Sequence, residues 1–339
     1  MANEGKPIRI VLVALPLGLL ILGIASMLFT QFKPDTPEMD EDYDKRMDAA
    51  SLNRKPVNRA DLERFVRILS EEIGERNLDN PTDLERAAIW IQSTLKSGNM
   101  GYEVDRQMFP VDGVEVRNLM VELTGTRLRK EIVLVGAHYD TVAGSPGANA
   151  GGSGVAALLS LAQAFAGDRQ ERTIRFVFFT NEEPPYFGTE NMGSRVYAKR
   201  SSTREEKIVA MLSLDSLGCF RDEAGSQMQP EGVTEALPDT GNFIVFSGND
   251  TAKFRADSAR NILKRESGIE ALSVELPDLK SDEVSFAKYG YPSVLVSDTA
   301  KYRYPDFHQS TDTMEKIDFE RLEKTCQALK QIVEIWANP

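Results

Sequence analysis

The chain has only two histidines, His138 and His308, and each stands beside acids: "HYD" in the first case and "YPDFHQSTDT" in the second. Further acids close apolar runs. "TIRFVFFTN" is followed by Glu182 and Glu183, "VAMLSLD" ends in Asp215, and "PSVLVSD" ends in Asp298. A lone carboxylate after a strand is an ordinary loop residue. Two imidazoles among several such carboxylates are instead the donor set of a borderline divalent cation such as zinc. In "HYD" residues i and i+2 of an extended segment point the same way, so Asp140 is placed to orient the ring of His138. In "EE" neighbouring side chains point apart, so one glutamate can bind metal while the other serves as general base toward an activated water.

Elements able to hold these groups are readable along the chain. "YEVDRQMF", "VRNLMVELTG", "EIVLVGA", "TIRFVFFT", "KIVAMLSLD", "NFIVFSG" and "PSVLVSD" read as strands. Helical spacing appears in "RADLERFVRILSEEIGE", "TDLERAAIWIQSTLKSG", where Thr82 and Glu85 fit a capping box, and "GVAALLSLAQAFAG". Two more helices are expected over about 250–264 and about 318–337. Alternating strands and helices predict one α/β domain, a three-layer sandwich with a mixed, mostly parallel central sheet flanked by helices. In such sheets ligands bind outside the carboxyl ends of the strands, where the acids and histidines fall.

The series "VGAHYDTVAGSPGAN…SGVAALL", "FFTNEEPPYFGTENMGSRVYA", "LSLDSLG", "SDEVSFAKYGYPSVLVSDTA" and "FHQSTDTMEKIDF" resembles zinc peptidase family twenty-eight of clan MH, which includes bacterial leucyl and related aminopeptidases. The resemblance covers roughly 59–337. It implies a phosphorylase/hydrolase-like fold, a peptide substrate, His138, Glu183, Asp215 and His308 as metal ligands, Glu182 as the base, and Asp140 as the residue orienting the first histidine. Two positions depart from the family. Where its loop runs "GANDNxSG", with an aspartate that bridges two zinc ions, this chain has Asn149, Ala150 and Gly151; and Glu283 stands where many relatives carry the histidine of "SDH". Two divalent ions ~3.5–4 Å apart repel by about 18 kcal/mol at an effective dielectric of ~20, and a shared carboxylate offsets much of this. The expectation is therefore one zinc ion rather than two, with Asn149 as an additional oxygen donor, or an empty site. The corresponding functions are an aminopeptidase with altered metal content or, alternatively, an inactive binding or scaffold module; a glutaminyl cyclase is a weaker third reading.

The remaining sequence bounds the setting. A net charge of −12 disfavours nucleic acid as a partner, since phosphate binding needs clustered Lys and Arg. Cys219 and Cys326 lack metal-ligand spacing and read as two buried small side chains. The run Ile10–Phe29 is twenty residues without a charge, long enough to span ~30 Å of hydrocarbon. Lys6 and Arg9 precede it and acids follow, which predicts a cytoplasmic N-terminus over 1–9, a single-pass anchor over 10–29, an acidic solvated tether over 30–58 and an extracytoplasmic (periplasmic or extracellular) domain over 59–339.

Overall fold

The computed structural model describes residues 41–96, 98–233 and 236–339. The segment Ile10–Phe29 lies outside them. Among the described residues no helix is long and apolar enough to cross a membrane.

The compact unit Lys45–Pro339 is built on an eight-stranded sheet of order β1-β2-β4-β3-β5-β8-β6-β7. The strands are β1 Asp105–Val111, β2 Val114–Leu123, β3 Leu128–His138, β4 Arg172–Phe179, β5 Lys207–Leu214, β6 Phe243–Gly248, β7 Glu270–Ser273 and β8 Ser293–Ser297. The central pairs β4/β3, β3/β5 and β5/β8 are parallel, as is the edge pair β6/β7; β1/β2, β2/β4 and β8/β6 are antiparallel. Seven strands match the apolar runs of the sequence. The eighth, β7, is four residues long and half polar, so no periodicity announces it.

The helices are α1 Glu41–Ser51, α2 Arg59–Arg67, α3 Pro81–Leu95, α4 Gly154–Phe165, α5 Gly193–Thr203, α6 Lys253–Ser267, α7 Glu283–Ala287, α8 Ala300–Arg303 and α9 Phe319–Ala337. Helix α2 begins at Asn58, whose side chain accepts from the Asp61 amide, and buries Leu62, Phe65 and Val66. Helix α9 is capped in the same way by Asp318, which accepts from Arg321 N–H. All twelve residues of α4 are buried, as a helix that is apolar except at Ser160 and Gln163 must be when it packs against the sheet strands and the outer helices α2 and α9. Its entry is close: a Cβ on Gly154 would lie 2.3 Å from the Leu214 carbonyl oxygen, so only glycine lets α4 start against β5.

Crossovers carry the chain from β3 through α4 to the parallel strand β4, and from β4 through α5 to β5, which lies beyond β3. Strands β3 and β5 are thus neighbours whose outgoing connections diverge, the position at which open α/β sheets form a ligand crevice beyond their carboxyl ends.

Two local expectations are corrected. Thr82 and Glu85 form no capping box, because α3 starts earlier, with Asn80 as cap and Pro81 in its first turn, and Glu85 pairs with Arg117. The second half of the expected tether is not solvated chain: α1 buries Met47 and Ala50, and Val57 is buried after it. Ala50 lies so close to Gly101 (φ 91°) that a Cβ there would be 2.7 Å away. The folded unit thus begins ahead of residue 59.

Candidate metal centre

At the crevice β3 ends in His138 and β5 delivers Asp215, with His138 Nε2 3.4 Å from Asp215 Oδ1. After β4 the chain turns through Asn181 at φ 56°, a left-handed conformation that points Glu182 and Glu183 back over the strand ends. Ser216 after β5 and Thr299 after β8 are also left-handed, and His308 itself has φ 60°. For a β-branched threonine this is strained backbone, and such strain collects where a structure positions function.

His138 is 1% exposed. Its Nδ1 donates to the main-chain carbonyl of Asp140 at 3.2 Å, which turns Nε2 toward Asp215 and toward Glu182 Oε2 at 3.9 Å. The ligand atoms of His138, Glu182 and Glu183 lie within 4.8 Å of one another. Glu183 Oε1 in turn meets His308 Nε2 at 3.1 Å, and Phe307 stacks on the His308 ring. His138, Asp140, Glu182, Glu183, Asp215 and His308 are therefore brought together at these strand ends.

Asp140 does more than its spacing implied. Its carboxylate stands 3.5 Å from His138 Nδ1, but its oxygens accept the amides of Glu182 (3.1 Å) and Glu183 (3.0 Å), so one aspartate braces both the imidazole and the glutamate pair. Asn149, expected as an additional metal donor, is occupied elsewhere. Its Oδ1 accepts from Gly218 N–H at 2.8 Å and its Nδ2 donates to Asp298 at 2.9 Å, which ties the loop before α4 to the ends of β5 and β8. Asp298 is correspondingly a brace, accepting also from Cys219 N–H at 2.6 Å. Glu283 is buried and accepts the Ser281 amide at the start of α7. Cys219 and Cys326 are both free and buried, as expected.

The electrostatics suit a cation. Burial opposes a proton on His138, but Glu182, Asp140 and Asp215 outweigh it and hold its pKa well above the usual 6.5. His308 is likewise raised, burial being overcome by Glu183. Burial lifts Glu182 well above the ordinary carboxylate range, with Glu183, Asp282 and Asp215 adding to it against His138. Asp215 is held below its ordinary value because His138 overcomes burial. Lone pairs of Nε2 and of two carboxylates face each other here, an arrangement that a proton or a bound cation stabilises. Imidazole nitrogen with carboxylate oxygen is a zinc donor set, so the residues present fit that ion.

Sequence reasoning missed Asp282, wholly buried, with both carboxylate oxygens lacking a hydrogen-bond partner and its pKa pushed up to about 7 by burial. It acts electrostatically on Glu182 and His138. Its only sequence signal is its place in "SDE", beside Glu283. Asp312, in the quoted "FHQSTDT", and Arg76 gave no sign of the bonds described below.

Residues 118–333 match peptidase family M28. The chain is 28% identical to YfbL of Escherichia coli K12 over 77% of this chain and 83% of that protein. It is 23% identical to a probable leucine aminopeptidase of Trichophyton verrucosum, over 90% of this chain and 81% of that one. Among solved structures it superposes with a TM-score of 0.69 on BSAP, a zinc aminopeptidase from Bacillus subtilis, at 17% identity, covering 84% of this chain and 96% of that one. With the family match spanning most of the folded unit, and His138, Glu182, Glu183, Asp215 and His308 converging beyond its parallel strands, this chain belongs to peptidase family M28.

Proposed function

We propose that the protein is a membrane-anchored zinc exopeptidase of the aminopeptidase type, cleaving the peptide bond that follows a free N-terminal residue. The observation that carries this reading is the convergence of His138, Glu182 and Glu183 within 4.8 Å, with Asp215 and His308 paired to them. His138, Asp215, Glu183 and His308 would hold zinc, which when bound polarises the scissile carbonyl and makes water a better nucleophile. Glu182 takes the proton from the attacking water and returns it to the leaving amine; burial and its carboxylate neighbours raise its proton affinity toward the range a base needs near neutrality. Asp140 fixes the direction of His138 and of the glutamate pair. Several carboxylates beside the crevice also suit a substrate ammonium group.

Ala150 bears on the number of ions. The loop around it offers no carboxylate of its own, and Asn149 is turned away to Asp298 and Gly218. We infer one zinc ion per chain, since two would repel without a bridging anion. Metal analysis of the purified protein tests this: the unmodified chain should carry at most one zinc ion and Ala150→Asp should approach two. Tight binding of two ions by the unmodified chain would overturn the inference. Full metal uptake with no peptidase activity in either protein would favour a binding module on this fold.

A further inference from the structure

Three successive amides of the loop before α4 converge on one residue outside the metal-binding set. Ala148 N–H donates to the main-chain oxygen of Asp312 (3.1 Å), Asn149 N–H to its Oδ1 (2.9 Å) and Ala150 N–H to its Oδ2 (3.1 Å). The Tyr304 hydroxyl donates to the same Oδ1 at 2.9 Å, and Asp312 has no exposed surface. From its other side the loop is gripped by Arg76, also wholly buried, which donates to the carbonyls of Pro146 (2.7 Å) and Gly147 (3.0 Å) and, through Nε, to that of Tyr139 (2.7 Å). The amide side and the carbonyl side of the loop are thus each held by a buried charge that finds its partners in main chain.

What the loop presses on is His138. Gly151, at φ 80°, sits so close that a Cβ there would lie 3.2 Å from His138 Cε1 and 2.8 Å from the Asp140 carbonyl oxygen. Asp312 itself follows His308 by four residues, with Gln309 and Asp312 joined through a turn (Asp312 N–H to Gln309 O, 3.1 Å). One carboxylate therefore connects the segment that carries His308 to the loop that braces His138. We propose that Asp312 is a positioning residue that fixes the two imidazoles relative to each other through residues 148–151; the proposal rests on the reading of His138 and His308 as metal ligands. An asparagine at 312 keeps the shape but presents an amide group to one of the two N–H donors, so the loop loses one of its side-chain anchors.

Because the chain has only two histidines, their ring nitrogens can be followed one by one in full-length protein carrying 15N-histidine. In metal-free Asp312→Asn both rings should change their 15N signals at fixed pH, and zinc affinity, titrated with zinc alone against a chelator, should fall 10–100-fold, the usual effect of removing a group behind a ligand. His138, which Asp312 reaches only through the loop, is the diagnostic signal. Tyr304→Phe removes one hydrogen bond to Asp312 and should move His138 in the same direction by less; it decides the matter if Asp312→Asn does not fold. An unchanged His138 signal with unchanged zinc affinity, whatever happens to thermal stability, would overturn the proposal, as would movement of His308 alone. If the unmodified protein takes up no zinc, the metal reading fails, while the ring signals still decide whether Asp312 sets the imidazoles.

Discussion

His138 Nε2, Asp215 and Glu182 face one another with almost no access to water, so at the scale of single residues the site is a contest between a proton and a metal ion. Both histidines hold a proton more strongly in the folded chain than their usual 6.5. Burial raises Glu182 as well, and pushes Asp282 and Asp298 up to about 7 and Glu283 up to about 8, from 3.8 and 4.5. A group whose folded pKa lies above its unfolded one adds stability below the unfolded value, and that contribution is lost as pH rises through the folded value. These groups all work in that direction; Asp215, held low by His138, works in the opposite one and at more acid pH. The chelator-treated protein should therefore melt at progressively lower temperature between about pH 5 and 8.5, while the gain from added zinc grows over the same interval as protons leave its ligands. Calorimetry with and without zinc measures both trends, and a melting temperature that rises with pH in chelator would refute the assignment. Residue types revealed who would gather here, because histidine beside acid at a strand end is a chemical signal. Partners were less legible: that Asp140 accepts two glutamate amides, or that Asn149 turns to Asp298, depends on loop geometry that no spacing encodes.

Among the elements, β3, β4, β5 and β8 were plain in the sequence because strands covered on both faces are near-continuous apolar runs, and these four supply or flank the metal-centre loops. Elements stabilised by tertiary contact were not. Helix α1 is built from "EDYDKRMDAAS", polar except at Tyr43, Met47 and the alanines, and its docking residues are too few to give a period. Strand β7 is recognisable only by its pairing with β6. One further element, the uncharged run Ile10–Phe29, lies outside the described residues and is proposed as the anchor from its length and its basic flank at Lys6 and Arg9. A reporter that is active only in the cytoplasm, fused to the C-terminus, should stay inactive while the protein sediments with membranes. Reporter activity, or a mature N-terminus beyond residue 29, would remove the anchor from the account.

For the molecule as a whole, the parallel strands, the crossovers that diverge between β3 and β5, and the family match all direct attention to one crevice. Beside that crevice, Asp312 and Arg76 hold the loop around Ala150 from its amide and its carbonyl side. Whether the protein works as a peptidase is the central question, and turnover of an aminoacyl anilide panel by the zinc-loaded full-length protein answers it most directly. Free aminoacyl anilides should be hydrolysed and their N-acetylated counterparts spared, since the reading requires a free N-terminal ammonium group. Glu182→Gln should retain zinc and lose about 10²–10⁴-fold of the rate, the contribution expected of a general base. Zinc bound without hydrolysis of any free aminoacyl anilide, or Glu182→Gln turning over as fast as the unmodified protein, would contradict the account.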